Sequence, residues 1–186
     1  MREREKPVKI AFVGTSHTGK TTLFEFYRQK LGNDSKIAFV KEASRLFFQT
    51  NAVDNRFSAE TQGKIQEIIL KNEKEAHKLR SAIILCDRSV IDAVVYVRAQ
   101  GDKQGAEQLL RKIQFWLPTY DKFLLFDPAD IPYRKDSVRQ EDEQTRQRFH
   151  KAFLDFFSET GISYELISGN LEERIKKIDE VLDLAT

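Results

Sequence analysis

The chain has 186 residues, with 31 basic and 29 acidic side chains for a net charge of +2. That length suits one domain, expected over 1–186, with a core large enough to need no disulfide or metal. The near balance of charge gives no basic field to argue for nucleic acid, and the single cysteine, Cys86, excludes an internal disulfide framework and fits a reducing, cytoplasmic setting.

The opening MREREKP is charged and is not followed by a signal-type apolar run; residues 1–6 are expected to be flexible. No window approaches roughly 18 consecutive apolar residues, so no membrane span is expected. The first apolar run, VKIAFV (8–13), lacks polar alternation, as a strand covered on both faces does. Four more runs of this kind follow: KIAFV (36–40), AIILC (82–86), KFLLF (122–126) and ISYELI (162–167).

The segments between these runs read as about seven helices. Ile65, Ile68, Ile69, Asn72, Ala76 and Leu79 form one stripe with a single polar break. Ser58 is placed to cap that helix, and Gly161 to end the helix carrying Phe149, Phe153, Phe156 and Phe157. Most of the 14 phenylalanines are therefore expected in the core. Strands alternating with helices predict a parallel α/β sheet. The region of the fourth and fifth helices, with Gln100-Gly101-Asp102 between, is expected to wall an acceptor site rather than to face a partner. One stretch, 127–141, holds two prolines and mixed charge, and predicts a lid over a ligand. Trp116 reads as packing at a helix end. His77 and His150 lie in helical segments, and no zinc-type spacing occurs.

After the first strand comes GTSHTGKT, 14–21, which satisfies G-x-x-x-x-G-K-S/T, the Walker A pattern. Gly14 and Gly19 permit backbone angles that turn N–H groups inward around phosphate oxygens. A helix beginning near Gly19 favours an anion at its N-terminus. Lys20 is placed to reach the outer phosphates, and the Thr21 hydroxyl to ligate magnesium. His17 counts through its backbone rather than its imidazole.

In a parallel sheet, ligands bind at the carboxyl ends of the strands. Those ends carry Lys41-Glu42, Asp87-Arg88-Ser89 and Asp127-Pro128. Asp87 is a candidate magnesium ligand beside Thr21. Glu42 and Asp87 are both candidates for the base that takes a proton from an acceptor hydroxyl. Arg88 brings a fixed positive charge to the same edge. A bland alternative pairs Glu42 with Arg45 on the second helix.

The set GTSHTGKTT (14–22), KEASR (41–45), CDRSVIDAVVY (86–96) and DSVRQEDEQTRQRF (136–149) resembles the ribosylnicotinamide-kinase-like P-loop family, the NadR-type AAA domains. The third motif is also similar to the D/E-R-S motif of deoxynucleoside kinases. The resemblance implies a three-layer α/β/α P-loop fold whose five parallel strands lie in the order 2-3-1-4-5. It implies ATP and Mg2+ held by Gly14, Thr15, Ser16, His17, Thr18, Gly19, Lys20, Thr21 and Thr22, with Asp87 as the second metal ligand. Lid residues Arg134 and Arg139 would neutralise the transferred phosphoryl group, and Gly169 and Asn170 would hold adenine. Glu42, Arg45, Arg88, Asp92 and Tyr96 would face the acceptor. Where the family more often has glycine in its lid, this chain has Ser137.

The activity this implies is transfer of the γ-phosphoryl group of ATP to a hydroxyl of a small acceptor, nucleoside-like in the first instance. The competing class is a regulatory nucleotide switch with no acceptor; its GTPase form lacks the N/T-K-x-D guanine motif. Acceptor identity, ATP against GTP preference, and monomer against homodimer stay open.

Overall fold

The computed structural model describes residues 6–133 and 142–183. Its centre is a five-stranded parallel sheet of β1 (Val8–Val13), β2 (Ile37–Val40), β3 (Ile83–Asp87), β4 (Lys122–Phe126) and β5 (Glu165–Ile167), in the order β2-β3-β1-β4-β5. The predicted strand order is observed. β5 is shorter than its apolar run: it lies at the sheet edge and pairs only where Leu124 to Phe126 meet Glu165 to Ile167.

Seven α-helices cover the sheet among the described residues: α1 (Lys20–Leu31), α2 (Ser44–Thr50), α3 (Ala59–Lys78), α4 (Val90–Ala99), α5 (Lys103–Ile113), α6 (Glu143–Thr160) and α7 (Leu171–Asp183). Alternate strand side chains point to opposite faces. Ile10, Phe12, Leu85 and Leu124 pack against Leu23, Phe24 and Tyr27 of α1 and Ile178 of α7. Ala11, Val13, Cys86 and Leu125 pack against α3, α4 and the phenylalanines of α6. Ser58 caps α3 through the Thr61 N–H, and Gly161, at φ 67°, ends α6 in the left-handed conformation that glycine tolerates.

One expectation on α3 is corrected. Asn72 is exposed, and the buried position beside it belongs to Glu73, which is completely enclosed. The sequence stripe took Asn72 as its polar break, yet the helix turns a carboxylate into the core because a partner waits there. Lys9, the one charged residue on the inner face of β1, donates to Glu73 at 2.5 Å and to Thr119 Oγ1 at 2.8 Å. Trp116 Nε1 donates to the same carboxylate at 2.6 Å, and the Tyr120 hydroxyl at 2.5 Å. The ammonium also lies 4.0 Å from the Tyr120 ring centroid and 4.5 Å from that of Trp116. Burial lowers the Lys9 pKa against the pull of Glu73.

This cluster reaches the working edge of the sheet. Tyr120 Oη accepts from Val90 N at 3.2 Å, and Gln66 donates to Val90 O at 2.9 Å, so both backbone polar groups of the first residue of α4 are fixed, from α3 and from the loop before β4.

Breaking a buried ion pair on one side leaves an uncompensated charge, which costs about 3–5 kcal/mol. Glu73→Gln should lower the unfolding free energy on that scale in urea titrations. Lys9→Met with Glu73→Leu should recover only part of the loss, because Trp116 and Tyr120 then keep buried donors without an acceptor.

Candidate functional site

The site forms where β1, β2 and β3 end. The loop after β1 turns three times into the left-handed region: Gly14 at φ 126°, His17 at 54° and Gly19 at 81°. At Gly14 a side chain is excluded twice over, since a Cβ would also stand 3.1 Å from the Phe126 carbonyl. Gly19 precedes α1 and offers no side-chain cap, so the first N–H groups of the helix are left for another partner.

Lys20 is almost fully buried and folds back over this loop, donating to the Thr15 carbonyl and, at 2.9 Å, to Thr18 Oγ1. The hydroxyl oxygens of Thr15 and Ser16 are buried with no hydrogen-bond partner. Buried polar groups without partners are rare in proteins. The ammonium and the N-terminus of α1 face one space, lined by residues 17–22 with Arg45 and Arg88, and the orphaned hydroxyl residue Ser16 lines the cavity next to it. That is a receptor for an anion with several oxygens.

Asp87, the last residue of β3, is 3 % exposed and keeps Oδ1 without a partner, while its carboxyl hydrogen-bonds the Thr21 side chain. Burial, then repulsion from Glu42, push its pKa up to about 6, against the pull of Arg88 and Lys20. A hydroxyl and a strained carboxylate side by side are the oxygen donors a magnesium ion takes when phosphates complete its shell. Among the described residues no group of three or more His, Cys, Asp or Glu could hold a metal ion.

Next to this space lies a second cavity of about 650 Å3, walled by α2, α3 and α4. Its apolar side is Phe48, Phe57, Ile65, Ile69 and Tyr96, and its polar side includes Glu42, Arg45, Arg56, Gln62, Arg88 and Asp92. Of the α4–α5 region, α4 lines this cavity through Asp92, Ala93 and Tyr96, while α5 and the turn Gln100-Gly101-Asp102 do not. Asp102 caps α5 instead, at the far end of α4 from the site.

Arg88 organises the wall between the two cavities. It is 7 % exposed and holds φ 77°, a left-handed backbone that is uncommon for a side-chain-bearing residue. Its Nε donates to Glu42 at 2.7 Å; its Nη1 donates to Asp92 at 2.9 Å and to the Tyr96 hydroxyl at 2.7 Å. Burial works against the charge, and Tyr96, Glu42, Asp92 and Asp87 outweigh it, holding the guanidinium pKa above its usual value. Asp92 also closes a capping box with Ser89 at the start of α4. Glu42 takes a second bond from Ser44 Oγ at 2.6 Å, on the same oxygen, Oε1. Arg88 is thus an ion-pair partner of Glu42.

A third cleft, on the other side of the phosphate loop, brings together Thr18, Gly19, Asp130, Ile131, Gly169, Asn170 and Arg174. Asp130 accepts from Gly169 N at 2.7 Å and joins the two loops. Of the expected lid, 127–133 lies within the described residues, and Tyr133 packs edge-on against His17 at 5.4 Å. Arg134, Ser137 and Arg139 lie outside them.

Sequence reasoning missed Phe48, Arg56, Phe57 and Gln62, which line the second cavity, and Arg174, which lines the third. The signal for the first group was present in NAVDNRFS (51–58), a loop between helices with two aromatics near its ends.

The sheet order and the loop opening α1 define a P-loop kinase-like fold. A family model described as an AAA domain matches residues 9–174, and the chain belongs to that family. No curated protein sequence matches it. Among solved structures it is similar to NadR protein in complex with NAD and AMP-PNP, at 20 % identity and a TM-score of 0.74, over 97 % of this chain and 50 % of that one. NadR protein in complex with NR matches at 21 % identity and 0.73, over 97 % and 52 %. Thymidylate kinase from Ehrlichia chaffeensis matches at 16 % identity and 0.63, over 95 % and 99 %. The chain spans about half the length of the NadR chains.

The raised pKa of Asp87 has a measurable sign. Between about pH 4 and 6 the folded chain keeps this proton and the unfolded chain releases it. Stability from this group is therefore present below pH 4 and lost as pH rises through 6. Without ligand, Asp87→Asn should be the more stable protein at pH 7.5, by on the order of 1–3 kcal/mol in urea unfolding, and the gap should close towards pH 4.

Proposed function

We propose that this protein is a small-molecule kinase that binds ATP with magnesium and moves the γ-phosphoryl group to a hydroxyl of a nucleoside-like acceptor. The observation that carries this reading is the shared wall: Arg45 and Arg88 line both the phosphate cavity and the second cavity, so a donor phosphate and an acceptor would meet there. The second cavity has the character of a small-molecule site, with aromatic walls and a few converging polar groups. Structural neighbours include NadR with NR and with AMP-PNP, which supports a nucleoside and an adenine nucleotide as the two ligands.

The two strand-end carboxylates divide the work. Glu42 lines the acceptor cavity and would hold the attacking hydroxyl and take its proton. Asp87 contacts Thr21 and would serve the metal. Magnesium, when bound, neutralises charge on the phosphate oxygens. Lys20 would swing from its own loop carbonyl to those oxygens, exchanging one acceptor for another without leaving the buried site. Arg88, held by Glu42, Asp92 and Tyr96, would keep Glu42 ionised and aimed, while Arg45 supplies positive charge at the junction. Such a site accelerates transfer by positioning and fixed charge. Gly169 and Asn170, with Asp130 and Ile131, would take the adenine, and Arg134 and Arg139 would close over the phosphates. A cytoplasmic setting fits the free, buried Cys86.

The test is ADP release from MgATP with a panel of nucleosides, nucleotides and sugars. At least one nucleoside should raise turnover well above the rate with water alone. Lys20→Ala and Asp87→Asn should abolish that gain. Glu42→Gln should cut turnover by about 10²–10⁴-fold while changing ATP affinity little. Turnover indifferent to every acceptor would sink the kinase reading and leave a regulatory nucleotide switch.

A further inference from the structure

Arg174, in the first turn of α7, is 2 % exposed and does not line the phosphate cavity; Asp130 and Asp127 are the carboxylates whose charge it feels. Its guanidinium is spent on three backbone carbonyls from three segments. Nε donates to Gly169 O at 2.7 Å, Nη1 to Thr18 O at 3.0 Å and Nη2 to Asp127 O at 2.9 Å. These belong to the loop after β5, the phosphate loop and the end of β4.

The Thr18 contact has a directional consequence. In a trans peptide the C=O of one residue and the N–H of the next point in opposite directions. The Thr18–Gly19 peptide plane is also the soft point of the loop: Gly19 sits at φ 81°, and glycine accepts either hand of backbone at low cost. The Thr15–Ser16 and Gly19–Lys20 planes are held by other bonds. Thr15 O is covered by Thr18 Oγ1 and Lys20, and Gly19 O accepts from Leu23 N at 3.0 Å. For the Thr18 carbonyl, Arg174 is the donor.

We propose that Arg174 is a positioning residue for phosphate binding: by drawing the Thr18 carbonyl towards α7 it turns the Gly19 N–H the other way, into the phosphate cavity. The same guanidinium holds Gly169 O, so the wall of the base cleft and the rim of the phosphate cradle share one ion. A nucleotide then meets both halves of its donor site already in register. The inference rests on the reading that residues 14–22 bind phosphates.

Arg146 gives the matched control. It is 1 % exposed and also clamps carbonyls, Pro128 O at 2.6 Å and Ile131 O at 2.7 Å, but makes no contact with the phosphate loop. Calorimetric titration of the full chain with tripolyphosphate and with ADP, each with magnesium, separates the roles. Arg174→Lys keeps the charge but cannot reach three carbonyls as a planar fork does. It should weaken both probes by about tenfold, the scale of one lost hydrogen bond to a charged donor. Arg146→Lys should leave tripolyphosphate unchanged. If Arg174→Lys lowers the melting temperature and binds tripolyphosphate as the wild type does, the residue is structural and the proposal is overturned. Loss of ADP affinity alone overturns it too, because Arg174 would then act through the base cleft. Should Arg174→Lys fail to fold, Arg174→Gln, which keeps two N–H donors, carries the same comparison; failure of both to fold overturns the positioning role. Wild-type protein that binds neither probe overturns the phosphate-loop reading itself, a result distinct from any variant effect.

Discussion

A single guanidinium holds the wall between the two cavities in shape. Arg88 sits where β3 gives way to α4, on a left-handed backbone, and binds a residue from each neighbouring element: Glu42 beyond β2, and Asp92 and Tyr96 along α4. Two buried carboxylates this close would otherwise repel or take up protons. The cation between them offsets that repulsion. The cost of the unusual backbone is offset by a set of charge-assisted hydrogen bonds available at no other position in the loop.

The rest of the fold can be understood as support for that arrangement. Behind α4, Tyr120 and Gln66 fix the backbone of Val90, and Tyr120 is itself held by Glu73. In front, Lys20 covers the phosphate loop and occupies its own carbonyl. To one side, Arg174 and Arg146 gather carbonyls from the ends of β4 and β5. Glu73, Tyr120, Arg146 and Arg174 are buried charges or phenols whose partners come from distant segments. The ligand-binding edge is therefore stiff where it must be aligned.

Local pattern made the sheet legible. Continuous apolar runs marked the strands, the Walker A spacing marked the loop, and Ser58 and Gly161 marked the limits of two helices. Glu42, Asp87 and Arg88 could be placed at one edge because parallel strands bring their carboxyl ends together. What could not be read was pairing across distance. Glu73 looks like one more exposed helical charge until Lys9, 64 positions away, is seen beneath it. Arg174 looks like part of a charged helix until Thr18, 156 positions away, is found at its tip. Phe48 and Phe57 flank a loop, and only the packing of α2 against α3 makes them walls of one cavity. Periodicity reports which way a side chain faces, and says nothing of what meets it there.

The lone tryptophan gives the buried cluster a practical meaning. Trp116 Nε1 is bonded to the Glu73 carboxylate, beneath the Lys9 ammonium, just before β4 begins. That is the amino end of the sheet, whereas nucleotide and acceptor would enter at the carboxyl end. Intrinsic fluorescence of this protein is thus a gauge of its scaffold rather than of its occupancy. An indole this tightly flanked by charges will change colour when the chain melts. Any change on adding a ligand would be a signal that had crossed the full height of the sheet.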